Sequence, residues 1–141
     1  MKRIVLFIML LVGLGMQSCH DSLLEEIPSP AAKFVSKYFP EIDVAAYGEV
    51  NDGYRVEMRN SATITFNDSY SWISVNGNGG VLPQMLLFDE LPSELYQHLE
   101  AIEELGNVYA ISRDTKSYKV QLLDSELTYE MATGKITRYN S

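Results

Sequence analysis

Residues 44–58 read VAAYGEVNDGYRVEM, and residues 108–122 read VYAISRDTKSYKVQL. The two segments align without a gap at an offset of 64 residues, and apolar positions such as Val56 and Val120 coincide. Both segments end in a strict alternation of apolar and polar residues, which is typical of a half-buried β-strand. In the first segment, Asn51-Asp52-Gly53 predicts a turn between two strands. We therefore predict an internal duplication built on paired strands.

The similarity continues beyond these segments at an offset of 63 residues, where Ile64 aligns with Leu127 and Phe66 with Tyr129. Third strands are predicted at residues 63–66 and 126–129, and fourth strands at 72–75 and 135–139. A helix pattern precedes each group of strands. The first predicted helix runs from Ser29, as N-cap, to Phe39, before Pro40. The second begins at Leu91-Pro92 and ends at Gly106, as C-cap.

We thus expect an α+β fold made of two tandem repeats, residues 28–82 and 89–141. Each repeat is a helix followed by a four-stranded antiparallel meander, and together they form one domain, residues 28–141. Between them, residues 76–83 are rich in Gly and Asn and predict a flexible loop. The apolar run Met85-Leu86-Leu87-Phe88 is expected to pack between the halves.

The N-terminus has the pattern of an export signal. Lys2 and Arg3 precede about eleven mostly apolar residues, a stretch too short to span a bilayer but suited to a secretory signal. Met16-Gln17-Ser18-Cys19 resembles a bacterial lipobox, in which the cysteine is acylated and becomes the new N-terminus. We predict a lipoprotein signal peptide at residues 1–18, lipidation at Cys19, and an acidic tether at residues 19–27. The alternative is an ordinary signal peptide with a chance cysteine.

A lipid on Cys19 would place the protein in the cell envelope, as an outer-membrane lipoprotein facing the periplasm or the cell surface. The membrane is then one partner, contacted through the lipid. The chain has 141 residues, one cysteine and a formal net charge of −8. One cysteine excludes an intrachain disulfide framework and a cysteine-cluster zinc site. The acidic charge disfavours a nucleic-acid partner.

No motif indicates catalysis, a metal site or a cofactor. The only histidine after the predicted tether is His98, which is expected on the exposed side of the second helix. No Gly-x-Ser-x-Gly or Ser-x-x-Lys motif occurs. No calcium loop of the Asp-x-Asp-x-Asp-Gly type is present either. We therefore expect a protein that is not an enzyme and holds no cofactor.

The outward face of the predicted sheet is the candidate binding surface. Arginine, tryptophan and tyrosine are enriched at binding hot spots, and strand alternation points several of them away from the core. The face is also expected to be locally basic on an acidic protein. The predicted partner-binding residues are Arg55, Arg59, Trp72, Lys119, Lys135 and Tyr139. The alternative is a plain solvated sheet on which Trp72 covers a neighbour.

Taken together, several segments resemble one family. They are the lipoprotein signal, the helix end at 34–40, the Asp52-Gly53-Tyr54 strand start, the strand pair from Phe66 to Trp72, and the Leu91-Pro92 helix start. Over residues 28–141 the chain resembles the PepSY-like, beta-lactamase-inhibitor-like domains of Bacteroides-type envelope proteins. The turn before Trp72 departs from the family pattern, and the second repeat has no tryptophan. The resemblance implies a secreted, non-enzymatic module with an open sheet for binding.

PepSY-type domains are associated with restraining peptidases, and the inhibitor-like relatives present a concave sheet to an enzyme. We expect a lipid-anchored binding module that engages a protein or peptide, with restraint of an enzyme as one form of that role. The alternative is a structural or small-ligand-sensing envelope lipoprotein without inhibitory activity. A hydrolase is the least favoured class.

Overall fold

The computed structural model describes residues 19–140, so the predicted signal peptide at residues 1–18 lies outside the described residues. The described chain contains four α-helices, which are α1 (Cys19–Glu26), α2 (Ser29–Tyr38), α3 (Gln84–Glu90) and α4 (Ser93–Ala101). A short 3-10 turn follows at Leu105–Asn107. Within residues 19–140, no helix combines the length and apolar character needed to cross a membrane.

Eight antiparallel strands form one continuous open sheet. They are β1 (Val44–Val50), β2 (Gly53–Met58), β3 (Thr63–Asn67), β4 (Trp72–Asn76), β5 (Ala110–Arg113), β6 (Ser117–Gln121), β7 (Ser125–Glu130) and β8 (Ile136–Asn140). Their order in the sheet is their order in the chain, so every strand pairs with its sequence neighbours. The two halves of the sheet join where Val75 of β4 pairs with Ile111 of β5. The α+β prediction is confirmed.

The helices cover one face of the sheet and form a single hydrophobic core with it. Strand residues at alternate positions are fully buried, including Val56, Ile64, Val120 and Leu127. Helix α2 contacts this face directly, since the rings of Phe34 and Phe66 meet edge to face with centroids 5.5 Å apart. The opposite face carries the polar half of the alternation, as the sequence pattern predicts.

Helix α2 begins where a proline favours it. Pro30 occupies the first turn, and Ala31, Val35 and Tyr38 form the buried stripe. The predicted cap is wrong by one residue, because Pro28 holds the N-cap position and Ser29 is already helical. No side chain caps this end.

Helix α4 is shorter than predicted. It ends at Ala101, and Glu103 reverses the chain with a φ of 60°. Gly106, the predicted C-cap, lies instead in the 3-10 turn Leu105–Asn107. Glu103 is exposed, and Leu105 reaches the core from the 3-10 turn rather than from a continued α-helix.

The segment predicted as a tether, residues 19–27, is helical from Cys19 to Glu26. Leu23, Leu24 and Ile27 recur at helical spacing and contact the core. The hydroxyl of Tyr47 on β1 donates a hydrogen bond to Glu26. The prediction of a tether was based on the acidic composition of this segment and overlooked the helical spacing of its apolar residues. Packing against the core thus begins at Leu23, within the segment predicted as a tether.

The apolar run at residues 85–88 forms part of α3, a helix that the sequence analysis did not predict. Leu86 and Leu87 are fully buried, which agrees with the expected packing of this segment. Met85 and Phe88 lie on its other side and are 57% and 66% exposed. A four-residue apolar run cannot show this division, because neighbouring residues on a helix face different directions.

Candidate functional site

The uncovered side of the sheet, called here the open face, consists of the outward residues of the strands. Strand register places one row of these residues across the sheet from edge to edge. The row is Gly48, Arg55, Thr65, Ser74, Ser112, Lys119, Thr128 and Thr137. Small residues and hydroxyls make up most of it, so this row is a low, polar floor.

The first row of the open face contains two cationic side chains. Arg55 lies on β2 and Lys119 on β6, and Thr65, Ser74 and Ser112 lie between them in the same row. Four strand spacings of about 4.8 Å place their backbones about 19 Å apart. Both side chains are exposed. Two positive groups therefore flank a line of hydroxyls.

A second row runs beside the first and contains carboxylates. It consists of Ala46, Glu57, Thr63, Asn76, Ala110, Gln121, Glu126 and Tyr139. Glu126 was not counted in the sequence analysis, and Glu130 lies near the same face at the end of β7. Three carboxylates thus offset most of the four predicted cations, so the positive surplus of the open face is smaller than expected.

Three shallow depressions mark this face and run into one another. The central one, of about 290 Å³, lies over Ser74, Ser112 and Lys119. The next, of about 410 Å³, shares Ser74 and also contacts Arg55. A third, of about 190 Å³, shares Arg55 and reaches β1 at Gly48. The shared residues make these depressions one trough across the strands.

Most predicted binding residues lie on or beside the open face. Arg55 and Lys119 share the first row, and Tyr139, 57% exposed, ends the second row at the β8 edge. Arg59 directly follows β2 and is exposed. Lys135 is exposed in the β7–β8 turn, where its carbonyl accepts the Glu130 N–H. Their role in binding remains a prediction.

The predicted outward orientation of Trp72 is wrong. A β-bulge shifts the register so that Thr65 faces Ser74 and Phe66 faces Trp72, with Ile73 as the extra residue. An extra residue reverses the alternation, and Trp72 therefore points into the core at 3% exposure. Ile73, the extra residue, is partly exposed.

Inside the protein, Trp72 organises a cluster of polar and aromatic groups. Its indole N–H donates to Glu90 Oε1 at 2.9 Å, and the Tyr38 hydroxyl donates to Glu90 Oε2 at 2.7 Å. The guanidinium carbon of Arg113 lies 4.1 Å from the centre of the Trp72 ring. These partners of Trp72 were not predicted from the sequence. The Glu90–Tyr38 contact joins residues 52 positions apart, and no local pattern signals it.

Hydrogen bonding and burial shift several pKa values in this region. Desolvation, followed by the bonds to Glu90 and Asp89, raises the pKa of Tyr38 far above its usual range. The bond from Tyr129 to Glu94, 2.6 Å long, raises the pKa of the Tyr129 phenol. Both phenols act as hydrogen-bond donors to carboxylates in this arrangement.

The described residues offer little for covalent catalysis or metal binding. His98 is partly exposed on α4. Within residues 19–140, no three or more His, Cys, Asp or Glu side chains come together in a metal-binding arrangement. Cys19 begins α1, and its acylation remains a prediction. The chemistry that the open face offers is hydrogen bonding and charge pairing.

The fold is similar to those of solved proteins from Bacteroides. A candidate periplasmic protein of the DUF2874 family from Bacteroides vulgatus superposes with a TM-score of 0.70 at 22% identity, covering 83% of this chain and 93% of that chain. A candidate calcium-regulated periplasmic protein from Bacteroides thetaiotaomicron gives 0.69 at 21% identity, with the same coverage.

A third solved structure, a candidate periplasmic protein of unknown function from Bacteroides vulgatus, gives a TM-score of 0.64 at 19% identity. It covers 81% of this chain and 94% of that chain. At these identities the likeness concerns the fold. No protein-family model matches the chain, and no curated protein matches it significantly.

Proposed function

We propose that this chain is a lipid-anchored module of the cell envelope that binds a protein or peptide through the open face. The observation that carries the proposal is the trough across the strands, with Arg55 and Lys119 flanking a floor of hydroxyls. Such a floor lets a partner's backbone approach closely, while the charges fix its orientation. Restraint of an enzyme is one form of this role, and we propose no catalytic role for the chain.

The proposed location rests on two observations. Ser18-Cys19 follows an apolar segment of secretory length, as in a lipobox. Similar structures are described as candidate periplasmic proteins. We propose acylation at Cys19 and attachment to the outer membrane, with the body facing the periplasm or the cell surface.

We also propose that the fold is a PepSY-like, beta-lactamase-inhibitor-like domain that arose by tandem duplication. Equivalent positions at the offset of 64 residues have equivalent environments, which supports this proposal. Val56 and Val120 are both fully buried. Arg55 and Lys119 are both exposed in the same row of the open face.

The binding proposal is tested with paired charge removals. Full-length protein carrying Arg55→Ala and Lys119→Ala is compared with a control carrying Lys33→Ala and Lys37→Ala, exposed cations on α2. Each variant loses the same formal charge. Crosslinking in envelope extract identifies a partner, and titration with the purified partner measures its affinity.

We expect the open-face pair to weaken binding by tenfold or more, because two charge-assisted contacts of about 1 kcal/mol each are removed. The α2 pair is expected to leave the affinity unchanged. Equal losses in both variants, or none in the open-face pair, would contradict the proposed surface. If the captured partner is a hydrolase, its activity is assayed with and without the protein to test for inhibition.

The alternative, a structural or small-ligand-sensing lipoprotein, has its own test. One relative of this fold is described as a candidate calcium-regulated protein. A calcium-dependent rise in the melting temperature, with no protein partner captured, would favour the sensing alternative.

A further inference from the structure

Each end of the trough carries one cation and one carboxylate. Arg55 and Glu57 lie two residues apart on β2 and line the same depression. Lys119 on β6 and Glu126 on the neighbouring strand β7 line the central depression. In the described chain, neither cation forms an ion pair with its neighbouring carboxylate. All four charges are therefore free to pair with a bound partner.

Strand register separates the two signs into parallel lines. Both cations belong to the first row of the open face, and both carboxylates belong to the second. Successive outward residues of a strand are about 6.7 Å apart, so a positive line and a negative line run side by side across the sheet. A partner of one sign would be attracted by one line and repelled by the other. The arrangement therefore selects a partner with acidic groups along one edge and basic groups along the other.

The floor between the charged ends offers hydrogen bonds rather than apolar surface. Its side chains carry hydroxyl or amide groups, which both donate and accept. They include Thr65, Ser74, Asn76 and Ser112. An extended segment has backbone N–H and C=O groups that need such partners, whereas an α-helix satisfies its own. The floor thus favours an extended segment over a helix.

The spacing of the charges determines the sequence pattern of that segment. The backbones of Arg55 and Lys119 are about 19 Å apart, which an extended chain covers in about six residues. Residues six positions apart point to the same side of an extended chain, because its side chains alternate. Two acidic residues at this spacing would both face the cationic row.

A basic residue next to each acidic one would point to the opposite side, toward the second row. Glu57 lies on the same strand as Arg55, so the first basic residue faces it directly. Glu126 lies one strand beyond Lys119, an offset of about 5 Å that a long lysine side chain can cover. Both carboxylates of the trough are thereby paired.

We propose that the trough binds an extended peptide segment that crosses the strands and carries two acidic–basic residue pairs six residues apart. The segment lies between the two rows, with its acidic side chains toward the cations and its basic side chains toward the carboxylates. Its backbone forms hydrogen bonds with the floor. The proposal rests on the proposed function, because it specifies the partner of the same surface.

Two peptides of identical composition test the spacing, both acetylated and amidated to remove the terminal charges. The matched peptide is Asp-Lys-Thr-Thr-Ser-Thr-Asp-Lys-Thr. In the shifted peptide, Asp-Lys-Thr-Thr-Ser-Thr-Thr-Asp-Lys, the second pair lies one residue later. Each is titrated calorimetrically into full-length protein in lipid nanodiscs, with empty nanodiscs as the blank.

We expect saturable binding of the matched peptide. The shifted peptide should bind about tenfold more weakly or worse, because its second aspartate faces Glu126 instead of Lys119. Equal affinities, or no saturable binding of either peptide up to about 1 mM, would overturn the proposal.

An exchange of charges on β2 locates the segment. Arg55→Glu combined with Glu57→Arg moves the cation at this end to the second row and leaves the net charge unchanged. The preference should then reverse, because acidic residues seven positions apart point to opposite sides of an extended chain. Lys33→Glu combined with Glu100→Lys exchanges two exposed charges on the helices and should leave the preference unchanged. A preference for the matched peptide that survives the β2 exchange would contradict the proposed orientation.

The peptide titrations and the crosslinking experiment fail separately. A protein captured in envelope extract and lost with Arg55→Ala and Lys119→Ala would support binding at the open face. If the two peptides then bind equally, the extended segment is overturned and the proposed function stands. If no protein is captured and neither peptide binds, both are overturned.

Discussion

Arg113 lies against Trp72 from the neighbouring strand, with its guanidinium carbon 4.1 Å from the ring centre and its Nε donating to the Trp72 carbonyl at 2.7 Å. Trp72 belongs to β4 and Arg113 to β5, so this contact crosses the junction between the two halves of the sheet. The indole N–H extends the contact to Glu90 on α3. One side chain thus connects both halves of the sheet to a helix.

Replacing Trp72 should test this structural role. Trp72→Ala is expected to cost about 3–5 kcal/mol of unfolding free energy, because it leaves a large cavity in the core. Trp72→Phe keeps a ring but removes the donor to Glu90, and should cost about 1–2 kcal/mol. Urea unfolding measures both. Tyr139→Ala, at an exposed ring, should change stability by less than about 0.5 kcal/mol. A similar small change in Trp72→Ala would contradict the buried position.

Replacing Arg113 with lysine should lower the stability of the protein. An ammonium group cannot stack on the indole and offers no planar fork, so Arg113→Lys is expected to lose about 1 kcal/mol of stability. Arg55→Lys makes the same change on the open face and should lose less than about 0.5 kcal/mol. Chemical denaturation at two salt concentrations measures both. Equal losses in the two variants would show that stacking on Trp72 adds nothing.

Tyr38 should make the protein sensitive to alkali. Its pKa is raised by burial and by hydrogen bonds to Glu90 and Asp89, so the native state keeps this proton at pH values where the unfolded state loses it. The stabilising contribution is therefore complete below the ordinary phenol pKa of 10.0 and declines as the pH rises beyond it.

The corresponding variant is Tyr38→Phe. At neutral pH it should lose about 1–2 kcal/mol, because Glu90 loses one donor. Above pH 10, its stability should fall less steeply with pH than that of the wild type. Tyr139→Phe controls for removal of one exposed hydroxyl. An unchanged alkaline slope in Tyr38→Phe would mean that another group causes the decline.

Two glycines should respond oppositely to alanine. A Cβ on Gly53 would lie 2.0 Å from the Phe66 carbonyl oxygen, so Gly53→Ala must move backbone and should cost about 2 kcal/mol or more. A Cβ on Gly48, in the neighbouring strand, meets nothing within 4 Å. Gly48→Ala should therefore be neutral or stabilising by about 0.5 kcal/mol. Thermal unfolding measures both, and destabilisation by Gly48→Ala would contradict the open space at this position.

Strand alternation predicted the sheet well, because its physical cause is local. Tyr54, Val56 and Met58 are buried and Arg55 and Glu57 exposed, as the two-residue period requires. The strand β1 runs from Val44 to Val50 and ends just before the turn predicted at Asn51-Asp52-Gly53. Whether a residue of β2 is buried or exposed depends only on the pleat of its own strand and on which face of the sheet is covered.

Trp72 shows where local pattern fails. Its orientation depends on one extra residue between paired strands, and register is a relationship between segments. The same holds for the partners of the core cluster, since Tyr38 and Glu90 are distant in sequence. The open-face row also required the pairing of β4 with β5, which no single-strand pattern contains. The sequence thus indicated which residue types would form the open face and the core, but not which residues would lie next to one another.

The strand order has a consequence for how the chain acquires its shape. Because each strand pairs with the one before it, most native contacts form between nearby residues, and low contact order favours rapid folding. As the exported chain enters the envelope from its N-terminus, each new strand can pair with the strand that precedes it. The exception is β5, which must wait for α3 and α4 to emerge before it meets β4. Until β5 pairs with it, β4 is an unpaired edge strand. At this stage of folding the chain is most prone to edge-to-edge pairing with another molecule.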